Sequence, residues 1–242
     1  MEWFFIDTGF RDPYFNMGFD EALMNFVEKT GKPVFRFFNF SPPSITIGFH
    51  QRISDWIISL DKKGYPFVRR PTGGRAVIHS GDMTYSLTFL QNDELIGGGV
   101  LESYKKISQG FGMGFKILNL DVKLERKSGE KGSDLCFNAP SWYEFTFKGK
   151  KIIGSAQVRR RGICLQQGTL AVKKPSSVFP HMPGLISVEE ALGRKISLEE
   201  IKNTVKKGFK EAFGITFIPL KYDRISPLIE KYSSRDWNYK YA

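Results

Sequence analysis

The stretch FVRRPTGGRAVIHSGDMTYS, residues 67–86, opens on a short apolar run, turns at a Gly-Gly pair and re-enters extended structure twice. AVIHS and MTYSLTFL have the β-branched and aromatic content of strands. The second alternates Tyr85, Leu87 and Phe89 against Thr84, Ser86 and Thr88. Gly73 and Gly74 allow backbone to approach a ligand, or to take a positive φ where a side chain would clash. Arg70 and Arg75 flank them, and a charged fork beside bare amides can hold phosphate or carboxylate. A tight hairpin turn with exposed arginines fits the same residues. The pattern GxxxxGK[ST] is absent, so this is not a P-loop. His79 has no HxxxH or carboxylate spacing around it, no metal site is expected, and alone it reads as a structural histidine.

Working outward, Phe19, Leu23 and Phe26, with Ala22 and Val27 beside them, recur at helical spacing after Asn16, and Gly31 and Pro33 end that helix. PVFRFFN and SITIGF read as strands split by a Ser-Pro-Pro turn, and a short helix is expected around QRISDWIISL. Residues 99–118 look helical despite their glycines. SWYEFTFKG, KKIIGSAQVR and GICLQQGTLAV are strand-like. SVEEALG and SLEEIKNTVKKGFKEAFG are expected to close the chain as helices. Each opens with a Ser and a Glu three residues on, a capping-box arrangement (Ser187/Glu190, Ser197/Glu200). Strands in clusters with helices between them predict an α+β fold. The expected architecture is a single domain over 1–242, its mixed, mostly antiparallel sheet covered by helices on one face, with the C-terminal helices of 187–213 packed onto it.

The chain has 242 residues, 41% of them hydrophobic, enough to bury a core without staples. Its two cysteines form no disulfide framework and no CxxC spacing, which suits a reducing compartment. The start, MEWFFIDTGFRDPYF, lacks the basic and apolar regions of a signal peptide, and no apolar run approaches the ~18 residues of a membrane span. A soluble, cytoplasmic protein is expected. With 36 basic against 25 acidic residues the net charge is +11, which favours acidic partners: nucleic acid or an acidic carrier protein. The basic residues are spread along the chain. No helix-turn-helix, zinc spacing or RNP-like aromatic motif supports a nucleic-acid module.

Cys136 lies in GSDLCFNAPSWYEF, where Ser133, Asp134, Asn138 and Pro140 make a turn rather than a core strand. Free cysteine is usually buried, so a loop thiol invites a chemical role, although a structural cysteine fits the same residues. Cys164, in ICLQQGTLAV, reads as a core residue. Lys151 lies in KGKKIIGSAQ, after a hairpin marked by Gly149 and before an almost bulk-free Gly-Ser-Ala stretch that leaves room for a thin substrate. An ordinary hairpin lysine fits those residues as well.

Taken together and in order, RRPTGGRAVIH, CFNAPSWYEF and GKKIIGSAQVRRRGICLQQGTL resemble the lipoate-protein ligase and octanoyltransferase superfamily, above all its cysteine-dependent octanoyltransferase branch. FNMGFDEAL near the start and EKYSSRDWN near the end extend the likeness over nearly the whole chain. The resemblance implies a biotinyl/lipoyl protein ligase-like fold with an acyl-binding groove. By the same likeness Cys136 matches the nucleophile and Lys151 the lysine that holds the acyl carbonyl. Arg70, Gly73, Gly74, Arg75 and His79 match the loop lining the acyl site, and Gly154 and Ser155 the small-residue strand beside the lysine. ATP-dependent lipoate ligases resemble the chain too. They typically carry a third glycine where Arg75 stands and asparagines in the segment matching GDMTYS, where this sequence has Asp82 and Thr84. An amidotransferase that moves lipoyl or octanoyl groups between proteins is a further cysteine-using alternative.

The implied reaction takes octanoyl from octanoyl-acyl carrier protein to a thioester on Cys136, then to a lysine of an apo lipoyl domain or glycine-cleavage H protein. A thioester donor is already activated, so no cofactor is expected; ATP and Mg²⁺ belong to the ligase alternative. A thiol at the reference value of about 8.5 is a few per cent thiolate at neutral pH yet strongly nucleophilic, and a nearby ammonium would favour the thiolate. Lys151 would orient the carbonyl, stabilise its oxyanion and relay protons. Eight carbons would bury about 5 kcal/mol of methylene surface, so an apolar groove is expected.

Overall fold

The computed structural model describes residues 1–125, 134–138, 143–222 and 226–241. The chain begins with β1 (Glu2–Arg11), α1 (Pro13–Thr30), β2 (Val34–Phe40), β3 (Ser44–Ile47) and α2 (Asp55–Asp61). β4 (Phe67–Arg69), β5 (Val77–His79), β6 (Asp82–Leu90), α3 (Val100–Ile117) and β7 (Lys123–Leu124) follow. Next come β8 (Phe145–Phe147), β9 (Lys150–Lys151), β10 (Ile153–Arg160), β11 (Ile163–Ala171), α4 (Val188–Leu192) and α5 (Leu198–Phe213). The chain does not close there: β12 (Thr216–Pro219), α6 (Ser226–Ser233) and α7 (Arg235–Asn238) continue it.

The main sheet has six strands in the order β10-β11-β6-β2-β1-β12. The pairings from β10 to β2 are antiparallel, and β2–β1 and β1–β12 are parallel, so the sheet is mixed and mostly antiparallel as expected. Two three-stranded sheets, β4-β3-β5 and β7-β8-β9, stand beside it and carry the loops of the site.

The expectation of one covered face is corrected: helices lie on both. Phe35, Phe37, Tyr85, Leu87 and Phe89 pack with α3 and α5 through Phe111, Phe115 and Phe209. Val34, Ile163 and Leu165 pack on the opposite face against Phe19, Leu23 and Val27 of α1. The reason is visible in VFRFFNF, where every residue of β2 is buried; a strand apolar on both faces needs cover on both. The polar half of β6 is buried as well. Ser86 donates to Asp20 Oδ1 of α1 at 2.6 Å, and the same oxygen accepts Arg36 Nη1 at 2.6 Å.

Local signals behave as chemistry requires. Asp12 Oδ1 accepts the Tyr14 and Phe15 amides to start α1, and Gly31 ends it at φ 68°. The glycines of α3 serve close packing: a Cβ on Gly110 would stand 2.6 Å from the Phe209 ring of α5. Ser187 and Glu190 form the reciprocal box expected of them. Ser197 caps α5 through the Glu200 amide, but the Glu200 carboxylate turns to Arg194 at 2.7 Å, so the second box is half-made.

Near the end of the chain, α7 seals β4. The Arg69 amide donates to Asn238 Oδ1 at 2.8 Å, the Arg69 guanidinium donates to the Asn238 carbonyl, and Trp237 Nε1 donates to the Arg69 carbonyl at 2.7 Å. Among the described residues no helix is long and apolar enough to cross a membrane.

Candidate active site

Cys136 opens a single 3₁₀ turn, Cys136–Asn138, tied to the strand that follows the Gly-Gly loop. Its amide donates to the Ala76 carbonyl at 2.9 Å, and the Ala76 amide donates to the Asp134 carbonyl at 3.0 Å. Ser54 Oγ and Gln51 Nε2 hold Asp134 from the other side, at 2.7 and 3.2 Å. Ser133 and Pro140, expected to belong to this turn, lie outside the described residues. Lys151 is fixed by its backbone, whose amide donates to the Gly184 carbonyl and whose carbonyl accepts the Ile186 amide. The hairpin before it turns at Lys148 and Gly149, both at positive φ.

The two side chains meet. Lys151 Nζ lies 3.2 Å from Cys136 Sγ, 3.0 Å from the Cys136 carbonyl oxygen and 2.7 Å from Glu144 Oε2. These contacts use the ammonium's three donors. Lys151 and Glu144 are 2% and 3% exposed, so neither charge leans on solvent. Burial alone would lower the lysine's proton affinity. Its interactions with Cys136 and Glu144 outweigh that, and the net effect raises it. Glu144 Oε1 in turn accepts the Ser155 amide at 3.2 Å.

Gly154 makes the meeting possible. A Cβ there would stand 2.9 Å from Lys151 Cε, 3.1 Å from Nζ and 3.2 Å from Cys136 Sγ. The stretch continues as Ser155 and Ala156, and Gly168 of the neighbouring strand leaves space for the Tyr85 ring. Tyr85, its phenol pushed up to about 12 by burial, stays protonated. It accepts Gln166 Nε2 at 2.7 Å and pairs with Ser155 Oγ at 2.8 Å.

A pocket of about 420 Å³, counting the space at its mouth, opens beside the sulfur. Cys136, Arg70, Gly74, His79, Gly154 and Ser155 line it with Met17, Phe40 and Val77. Thr46, Thr84, Gln167 and Thr169 also line it, but the exposed surface of the wall is mainly apolar. Most of these polar atoms are already spoken for. His79 Nε2 meets Thr46 Oγ1 at 2.9 Å, His79 Nδ1 meets Asp82 Oδ2 at 2.8 Å, and the ring stacks on Phe40. Gln167 accepts from Thr72 and donates to Asp20.

Arg70 differs from a free anion-binding fork. Its buried guanidinium donates to the carbonyls of Thr46, Gly73 and Arg75 and to Thr72 Oγ1, holding the Gly-Gly loop in shape. Burial lowers its pKa to about 10, which leaves it a cation at neutral pH. Gly73 and Arg75 lie outside the pocket lining and supply carbonyls to Arg70. Cys164 is buried on the α3/α5 side of the sheet, its thiol pushed up to about 12 by desolvation. Arg159 of the RRR run donates to the Gly98 and Gly99 carbonyls and to Ser103 Oγ at the start of α3.

Sequence reasoning missed Glu144. Its only signal is a carboxylate just before the apolar-alternating Phe145–Phe147, in the segment that precedes Lys151.

Residues 12–210 match the family described as the lipoyl protein ligase A/B catalytic domain. Octanoyltransferase LipM of Staphylococcus epidermidis is 36% identical, over 98% of this chain and 98% of that protein. Octanoyltransferase LipM of Carboxydothermus hydrogenoformans is 37% identical, over 99% of each. In fold the chain is similar to protein Ta0514 of T. acidophilum, solved with bound lipoic acid (TM-score 0.83, 22% identity, 99% of this chain and 100% of that one). It is also similar to a bipartite lipoate protein ligase from Thermoplasma acidophilum, studied with its E2 lipoyl domain (TM-score 0.76, 22% identity, 100% and 98% covered). The chain belongs to the lipoyl protein ligase A/B catalytic-domain family.

Proposed function

We propose that the protein is an octanoyltransferase of protein lipoylation, taking octanoyl from a thioester on acyl carrier protein and delivering it, through Cys136, to a lysine of an apo lipoyl domain or glycine-cleavage H protein. The observation that carries this reading is the 3.2 Å approach of Lys151 Nζ to Cys136 Sγ beside one pocket. The chain in which it occurs aligns end to end with octanoyltransferases.

The residues suit the steps. An ammonium against the sulfur stabilises negative charge there, by about 5 kcal/mol at an effective dielectric of ~20 and before desolvation. The thiolate attacks the donor carbonyl, an S–C bond forms, the donor's own C–S bond breaks, and the carrier thiolate leaves and takes its proton from water, so Lys151 stays an ammonium. A thioester sulfur is a poor acceptor, so the Lys151 N–H that pointed at Sγ is released toward the acyl oxygen and donates to it. The acceptor amine then attacks. The oxyanion is held by that N–H, the C–Sγ bond breaks to restore the Cys136 thiolate, and the proton lost by the amine goes to water, balancing the one the carrier took. An amide replaces a thioester, which makes the step downhill. No cofactor enters.

The test is incubation with octanoyl-acyl carrier protein, followed by intact mass. Wild type should carry one octanoyl group, and Cys136→Ala none. An absent adduct, or one undiminished by the substitution, overturns the reading. Activity from free octanoate or lipoate only with ATP and Mg²⁺ would favour the ligase alternative, and octanoyl-H protein as the better donor the amidotransferase.

A further inference from the structure

The proposed reaction carries a hazard in its own site. Its acyl acceptor is a lysine amine, and the enzyme holds a lysine amine 3.2 Å from the sulfur that would carry the acyl group. A carbonyl carbon bonded to Sγ would come within about 3–3.5 Å of Nζ, a near-attack separation. Groups so placed reach effective molarities of about 10⁵–10⁸ M, far above any concentration a partner protein attains. A free-base Lys151 would therefore take the acyl group first. Its Nζ–C bond would form, the C–Sγ bond would break, and the nitrogen's proton would pass to the departing sulfur. The products, an amide on Lys151 and a free Cys136 thiol, are a dead end.

We propose that Glu144 guards against this self-acylation: by holding Lys151 as an ammonium through the acyl-enzyme stage, it keeps the nitrogen's lone pair in an N–H bond. The inference rests on the acyl-cysteine reading above. Glu144 Oε2 is 2.7 Å from Nζ in a pair buried to 3% exposure or less, and the Ser155 amide fixes its other oxygen. Acylation removes the electrostatic influence of the Cys136 sulfur, one of the two influences that outweigh burial at Lys151. Burial favours the neutral amine, so from that moment the Glu144 carboxylate is what opposes deprotonation. The Cys136 carbonyl at 3.0 Å further aims the ammonium but carries no full charge. Glu144 is thus a positioning residue: it acts through Lys151 and does not touch the acyl group.

The experiment loads wild type, Glu144→Gln and Glu144→Asp with octanoyl-acyl carrier protein in the absence of acceptor. Intact mass, neutral hydroxylamine, which cleaves thioesters and spares amides, and peptide mapping are followed over time. Wild type should hold a hydroxylamine-labile adduct on Cys136. Glu144→Gln should convert it to a resistant amide on Lys151 at least ~10-fold faster, the conversion accelerating with pH, and its turnover should stop after the first cycles. Glu144→Asp, which keeps the charge, should retain the labile adduct. A Gln variant whose adduct stays labile as long as wild type's, with sustained turnover, overturns the proposal, as does equal Lys151 amide formation in wild type. If the Gln variant fails to fold, wild-type octanoyl-enzyme taken stepwise to about pH 10.5 decides the matter. A Lys151 amide appearing only on the alkaline side supports the guard, and none at any pH overturns it. A wild type that never acquires a labile adduct removes the acyl-cysteine reading itself, a distinct result.

Discussion

Substituting Gly154 by Ala tests the geometry of the site with one methyl group. The new Cβ would meet Lys151 Cε at 2.9 Å, Nζ at 3.1 Å and Cys136 Sγ at 3.2 Å. Carbon contacts are comfortable at about 3.5–4.0 Å, so the lysine and the sulfur must withdraw by roughly 0.5–1 Å. Gly154 is not at positive φ, so the backbone accepts alanine and the effect is steric. A displacement near 1 Å costs reacting groups about 10²-fold, or roughly 2.7 kcal/mol of barrier. Overpacking costs about 1–3 kcal/mol of stability. Rapid-quench mass spectrometry of octanoyl-enzyme formation, with urea unfolding in parallel, reads both. An alanine variant that acylates at the wild-type rate with unaltered stability would refute the claim that Gly154 seats the pair.

The other expectations follow from features already described. In the native protein Cys136 should alkylate and Cys164 resist until unfolding, since the second is buried with its thiol pushed up to about 12; two equally fast thiols would contradict this. Asp20→Ala should destabilise by about 3–5 kcal/mol in urea titration, because it strands the fully buried Arg36 and releases Ser86 and Gln167. The Lys151 proton affinity is raised above the ordinary lysine value, so the stability it confers is complete below about pH 10.5 and lost as pH climbs through the raised value. Glu144→Gln should bring that loss to lower pH in alkaline unfolding curves. With a net charge of +11, the proposed transfer should slow as salt rises where its protein partners are acidic, read as kcat/KM against ionic strength.

Local signals, a thiol in a turn and a lysine just before residues without bulk, draw attention to Cys136 and Lys151 but fit structural roles as well, and it is the resemblance over several ordered segments that gives them their chemistry. The strands and the first helix are legible through local signals too, in alternation and caps. What pairs over long separations is not. β1 joins β12 in parallel, Glu2 opposite Thr216, and neither run announces its partner. Glu144 was invisible because a lone carboxylate just before a short strand resembles a solvent-facing residue until the lysine is seen across from it. Arg70 misled in the opposite sense. An arginine before two glycines looks like a ligand clamp, but its donors are consumed by the carbonyls the loop would otherwise bury unpaired.

The seal of α7 on β4 gives the order of synthesis a meaning. The thiol, the amine and the Gly-Gly loop all leave the ribosome before Trp237 and Asn238, yet the residue next to Arg70 is bound on both its amide and its carbonyl by those two. At about 5–20 residues per second a nascent chain spends seconds with every reactive group already made and the last clamp missing. Chains broken off before Trp237 would carry the thiol and the amine without this clamp on β4.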